Sequence, residues 1–207
     1  MEVKENPSME IQIQEIAEKL FLEKGFALTS TTEIAREVGC NQALVHYYFR
    51  TKENLFNLIF EKKFREFFQH IFELENLEML PFVEKLKHII ESHFDMVRKN
   101  PRVPLLIVNE FSRNPEMVAA LKEKLKDVVA GLFKTLNEDL EAEIFAGRVR
   151  QQILIDLIFS VISLNISLFL LLPVAAEIMG MDEKQKEFVL NRRREEHVKL
   201  ILNSLRP

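Results

Sequence analysis

Apolar residues along this chain recur every three or four positions and nowhere alternate over a strand-length run. Ile13, Ile16, Ala17, Leu20 and Phe21 form the first stripe, which predicts a helix over 9–24 with Gly25 as its stop. Ser30 and Thr31 are good N-caps, and Ser30 with Glu33 fits a capping box that opens a short second helix over 31–38. It ends at Gly39, where a left-handed backbone carries no steric penalty. Asn41 can cap a third helix over 42–48, and Thr51 a fourth. The fourth runs on Leu55, Leu58, Ile59, Phe67, Phe68, Ile71 and Phe72.

Pro81 opens a fifth helix with Phe82, Leu86, Ile89, Ile90, His93, Phe94 and Val97 on one side. Pro101 and Pro104 bracket a loop before a short sixth helix over 104–112. Pro115 opens a seventh, striped by Val118, Leu121, Leu125, Val128, Leu132, Leu136 and Leu140 and ended near Gly147. The eighth, over 150–172, is the most apolar. The ninth, over 182–205, uses Phe188, Val198, Ile201, Leu202 and Leu205. With no internal repeat or low-complexity tract, the pattern predicts an all-α chain of about nine helices.

Composition agrees. Five Gly and seven Pro in 207 residues leave room for few turns. The one cysteine, Cys40, excludes an internal disulfide and a multi-cysteine zinc site, and fits a reducing cytoplasm. The opening MEVKENPSMEIQIQE has no apolar core behind a basic start, so no signal peptide is expected. The formal charge of −4 argues weakly against a nucleic-acid partner. Its distribution does not: Lys24 to Arg65 carries seven basic and four acidic groups, a local +3.

That basic segment holds the short helices. Helix, Gly turn and helix have the size of a helix-turn-helix, whose second helix lies in the major groove with its N-terminal residues at base edges. Ile34, Ala35, Val38, Val45 and Phe49 are the expected buried positions, and Ala35 lets the two helices approach closely. Asn41, Gln42, Ala43, His46 and Tyr47 then belong to the face toward DNA. Gln can pair with adenine and Ala can touch a thymine methyl. His46 and Tyr47 can donate to phosphates, and Thr31 and Lys52 sit at helix starts that favour phosphate. The plainer reading makes these the polar faces of small helices.

The stretch TSTTEIAREVGCNQALVHYYFRTKENLF resembles the DNA-binding segment of the tetracycline-repressor (TetR) family. The resemblance covers about residues 10–56 and rests on Thr31, Ile34, Ala35, Gly39, Val45, Tyr48, Phe49, Lys52, Glu53 and Leu55. It implies an N-terminal helix-turn-helix domain, 9–55, and a larger helical ligand-binding and dimerisation domain, 56–207. It also implies a dimeric, ligand-responsive transcriptional regulator, usually a repressor, with Thr31, Gln42, Ala43, Tyr47 and Lys52 as DNA contacts. The sequence departs from the family's commonest pattern at His46, where many members have Tyr, and at Cys40, where an aliphatic residue is usual. Cys40 is read as a small buried hydrophobe rather than a redox sensor.

The eighth helix, from Ile153, is about long enough to span a bilayer. Asp156, Ser160, Ser163, Asn165 and Ser167 interrupt it, and it has no basic cluster at its C-terminal end and no Trp/Tyr belt. A homodimer, pairing the helices at 150–172 and 182–205 across a two-fold axis, explains an all-round apolar helix without a membrane. Arg192–His197, RRREEH, is read as the solvated face of the ninth helix. The second domain is rich in Phe, which suits an apolar effector held between helices. Phe68, Phe72, Phe111 and Phe133 would line its pocket, with His93 and Asn165 supplying polar contacts; the bland reading makes these core residues.

The expected partners are a near-palindromic DNA operator, a small, largely apolar effector and a second copy of the chain. The expected mechanism is a population shift, with the fourth helix running from beside the DNA at Lys52 into the sensor domain. No phosphate loop, metal-spaced His/Cys cluster or nucleophile elbow points to an enzyme, and nothing calls for a cofactor or metal. The competing reading is a helical ligand-binding or adaptor protein whose helix-turn-helix does not bind DNA.

Overall fold

The computed structural model of the chain describes the backbone over residues 8–72, 80–113 and 115–207, and the side chains there except at 67–72, 117–118, 120–122, 124–125 and 127–128. The described residues form nine α-helices and no strand. In chain order they are α1 Met9–Leu28, α2 Thr31–Val38, α3 Gln42–Phe49, α4 Lys52–Phe72, α5 Phe82–Lys99, α6 Val103–Arg113, α7 Pro115–Phe145, α8 Leu154–Met179 and α9 Glu183–Ser204. The chain divides into two compact units: Met1–Glu66 with Leu105–Ile107, and Phe67–Pro104 with Val108–Pro207.

In the first unit α1 buries Ile13, Ala17, Leu20 and Phe21, α2 Ile34 and Ala35, and α3 Val45 and Phe49. Leu55, Phe56, Ile59, Phe60 and Phe64 of α4 are buried as well. The Phe21 and Phe56 rings meet edge to face at 5.0 Å, and Lys63 reaches Glu18 at 2.7 Å, so α1 and α4 are joined by both apolar and charged contacts. Gly25 breaks α1 with φ 76, as a helix stop requires, and one further turn follows it. Val38, expected to be buried, is half-buried.

In the second unit α5, α7, α8 and α9 share a core that includes Leu86, Ile90, Leu140, Leu157, Val161 and Ile201. Polar ties fix the helices around it. Lys85, buried on α5, meets Asp139 of α7 at 2.6 Å. The backbone N–H of Arg150 donates to the Leu205 carbonyl at 2.9 Å, and its guanidinium to the Ser204 carbonyl, which places a cation at the C-terminal end of α9.

Two expectations change. The eighth helix starts later than 150 and continues through Pro173 to Met179, where Gly180 ends it in the left-handed region. A proline removes its own N–H and crowds the carbonyl four residues earlier; Pro173 takes the exposed side, away from the buried positions Leu157, Val161, Asn165 and Phe169. Arg192–His197 is not one solvated face. Arg192 and Glu195 are exposed, but Arg194 turns to α5, where Asp95 accepts two bonds at 2.9 and 2.8 Å and Glu91 one at 2.9 Å. His197 is fully buried. A run of six residues covers more than one turn, so it must reach the core stripe somewhere.

Candidate nucleic-acid interface and the polar cluster of the second unit

The turn between α2 and α3 is built locally. Ser30 accepts from the Glu33 N–H at 3.1 Å and opens α2. Gly39 closes it at φ 82, ψ 28, donating to the Ala35 and Arg36 carbonyls. The Cys40 N–H also reaches the Ala35 carbonyl, and the Cys40 side chain is half-buried. Asn41 then accepts from the Leu44 N–H at 2.9 Å and starts α3.

Val45 and Phe49 point α3 into the unit, which leaves Gln42, Ala43, His46 and Tyr47 exposed, Tyr47 at 67%. Thr31 is half-buried, and its hydroxyl accepts from the Gln42 amide at 2.9 Å. Gln42 also lies 3.3 Å from His46 Nε2, and His46 Nδ1 lies 3.0 Å from the Arg50 carbonyl. The Tyr47 and Tyr48 rings pack edge to face. Six of the seven predicted DNA-facing residues therefore lie on α3 or at the adjacent start of α2.

Lys52 is placed differently. Its ammonium donates to the Phe26 and Thr29 carbonyls, each at 3.1 Å, and sits 4.0 Å above the Phe26 ring. Two of its three protons hold the end of α1, and a cation–π contact adds to them. Sequence reasoning gave Lys52 a phosphate and missed this partner.

In the second unit the structure joins two of the residues predicted for the effector and adds a third. Asn165 of α8 is fully buried; its amide donates to the Ile90 carbonyl at 3.1 Å and to His93 Nδ1 at 3.0 Å, both on α5. Its oxygen accepts from His197 Nδ1 on α9 at 2.7 Å. A carbonyl only accepts, so the bond to Ile90 fixes which end of the amide faces which imidazole. His93 is thus protonated at Nε2 and His197 at Nδ1. Nε2 of His197 is a buried lone pair with no partner among the described residues.

Burial lowers the pKa of His93 from 6.5 to about 4. Burial, reinforced by the Arg193 charge, lowers that of His197 to about 4 as well. Both rings are therefore neutral at pH 7. Phe94 packs on this cluster, 5.8 Å from the His197 ring and 5.1 Å from Phe169, each edge to face.

Phe133 packs against the core of the unit, and Phe111 is half-buried in α6. The side chains of Phe68 and Phe72 lie outside the described residues. The sequence reading passed over His197, although Arg194, His197, Val198, Ile201 and Leu205 follow helical spacing and place it on the buried stripe. It also passed over Glu110, a buried carboxyl on α6 whose pKa burial raises. Among the described residues no group of three or more His, Cys, Asp or Glu could hold a metal ion.

The geometry of α2 and α3 agrees with comparisons to known proteins. The family described as bacterial regulatory proteins, tetR family, matches residues 13–59. The fatty acid metabolism regulator protein of Bacillus subtilis (strain 168) is 22% identical over 141 residues, 68% of this chain and 71% of its own length. Two solved structures share the fold. One is a Clostridium perfringens protein provisionally named a fatty acid metabolism regulator, with TM-score 0.65 and 19% identity over 94% of this chain and 98% of its own. The other is HlyIIR, a hemolysin II transcriptional regulator, with TM-score 0.58 and 24% identity over 96% of this chain and 97% of its own. Residues 13–59 thus match the tetR family of bacterial regulatory proteins, and the helical fold of the chain is similar to that of these two solved structures.

Proposed function

We propose that this regulator is a cytoplasmic homodimeric repressor released from a near-palindromic operator by a molecule carrying an acyl chain. The observation that carries the DNA half is the exposed face of α3. Gln42, Ala43, His46 and Tyr47 face outward while Val45 and Phe49 hold the helix from beneath. Gln42 and Ala43 would meet base edges. Thr31, Tyr47 and the remaining N–H groups of Asn41 would meet the backbone, His46 would hold Gln42 beside them, and the third proton of Lys52 is available to a phosphate.

The names of the B. subtilis and C. perfringens relatives support an effector from fatty acid metabolism. An effector of that kind suits the second unit, where Phe111 and Phe133 are half-buried and the neutral pair His93 and His197 brackets Asn165. Phe68 and Phe72 stay in the proposal as lining residues.

The dimer is supported by α8. One stripe of it is buried, and the rest exposes Ile155, Phe159, Ile162, Leu170, Leu171, Val174 and Ile178. By length and composition α8 could cross a membrane, and only 22% of its most apolar window is buried. Asp156, Ser160, Ser163 and Ser167 are exposed on it as well, which favours a second copy of the chain over lipid. Two α3 helices would then meet half-sites about one turn apart.

Effector and DNA would weaken one another by population shift, and reciprocally. Selection of bound duplexes from a random pool tests the first half, and release of the selected duplex by a series of acyl compounds tests the second. A selected near-palindrome that long-chain acyl compounds release supports the reading. A saturable acyl ligand that leaves operator affinity unchanged defeats the repressor mechanism. No selected sequence at low salt would point instead to a ligand-binding or adaptor protein.

A further inference from the structure

The hydrogen bonds between α2 and α3 form a chain whose directions follow from its anchor. His46 Nδ1 is 3.0 Å from the Arg50 carbonyl, and a carbonyl only accepts, so Nδ1 carries the proton. With the ring's proton on Nδ1, Nε2 presents a lone pair. The Gln42 atom 3.3 Å from it must donate and is the amide nitrogen. The same nitrogen lies 2.9 Å from Thr31 Oγ1 and gives it the second hydrogen. Both amide hydrogens are engaged, and Gln42 Oε1 is left as the open end of an exposed side chain.

The anchor is itself constrained. Arg50 has φ 67, ψ −56, and the Thr51 N–H donates to the Phe49 carbonyl at 2.8 Å across it. This is a γ-turn of the strained, positive-φ kind. Thr51 then caps α4 through the Asn54 N–H at 3.1 Å. The same turn leaves the Arg50 carbonyl within reach of a ring one helical turn earlier.

We propose that Gln42 recognises the operator through Oε1 alone, accepting a hydrogen bond from an exocyclic amine in the major groove, N6 of adenine or N4 of cytosine. The inference rests on the proposed role of α3 as the recognition helix. A glutamine with a free amide prefers adenine because it bonds N6 and N7 together. Here the donor that N7 needs is held by Thr31 and His46. Adenine keeps one bond and loses its advantage over cytosine. Guanine O6 and thymine O4 would face Oε1 acceptor to acceptor. Thr31 and His46 are positioning residues in this scheme.

The test is selection from a random duplex pool with the wild-type dimer, Gln42→Glu and His46→Phe, read at the base pair that responds to position 42. The wild type should accept A or C on one strand there, and G or T should cost about tenfold in affinity. Gln42→Glu, which also only accepts, should keep that preference. His46→Phe should free an amide hydrogen for N7 and narrow the position to A. Nitrogen NMR of the free wild type should show the His46 proton on Nδ1 rather than Nε2. Adenine alone with the wild type and its loss in Gln42→Glu would overturn the inference, as would His46 protonated at Nε2. A selected near-palindrome indifferent to Gln42 would sink this inference only, whereas no selected sequence would sink the DNA-binding reading with it.

Discussion

Asn165 sits in an apolar run where a leucine would be expected, and its amide answers three groups at once. Replacing it by Leu keeps the volume but strips both imidazoles of a buried partner. Asn165→Leu should therefore cost about 3 kcal/mol of unfolding free energy, measured by urea denaturation at pH 7. The histidines add a pH dependence with a defined sign. Their folded pKa of about 4 lies below the ordinary 6.5, so between those values the unfolded chain binds more protons. Stability should be full above pH 6.5 and fall as the pH drops toward 4, with no further loss from these groups below that. Each ring taken alone would contribute about 3 kcal/mol across the window, at 1.36 kcal/mol per unit. Urea midpoints between pH 7.5 and 4 would test this, and midpoints flat from 6.5 to 4.5 would sink it. The sequence reading reached His93 and Asn165 because each interrupts an apolar stripe. It missed the partners of Lys52 because the carbonyls that hold it lie 26 and 23 residues earlier, a pairing only the folded chain displays.

Elements whose signals are local were legible, and elements decided by distant packing were less so. The stretch from α2 to α3 is specified by neighbours within four residues: Ser30, Gly39, Asn41 and the buried pair Val45 and Phe49. Its boundaries follow from the sequence for that reason. The end of α8 does not: the apolar pattern ends it at 172, and the helix passes through Pro173 to Met179. Gly39 gives a clean test of how much the turn depends on backbone conformation. It holds φ 82, and a Cβ added there would meet nothing within 4 Å. Gly39→Ala should therefore cost about 1 kcal/mol through conformation alone, and Gly39→Asn less, because Asn tolerates the left-handed region better. Thermal denaturation of the two variants should rank wild type above Asn above Ala. A cost of several kcal/mol for Ala would mean that something packs against this glycine that the single chain does not contain.

For the whole molecule, the proposed dimer links what α8 buries to what α3 can recognise. Within one chain Phe159 is 61% exposed and Leu171 64%, so charging them should disturb the folded protomer little. Neither belongs to the stripe of Leu157, Val161 and Phe169, which holds α8 to its own unit. Phe159→Glu with Leu171→Glu should yield a helical protein with an unchanged circular dichroism spectrum that sediments as a monomer of 24.3 kDa. The wild type should sediment at twice that mass. Because each α3 then meets DNA alone, the double variant should lose the advantage of joining two half-sites, an effect of order a hundredfold in operator affinity. Its preference among single half-sites should survive, since Gln42, His46 and Thr31 belong to the other unit. A variant that remains dimeric would place the interface elsewhere. A wild type that needs detergent to stay in solution would return α8 to the bilayer reading, for which its exposed serines and Asp156 would then need partners.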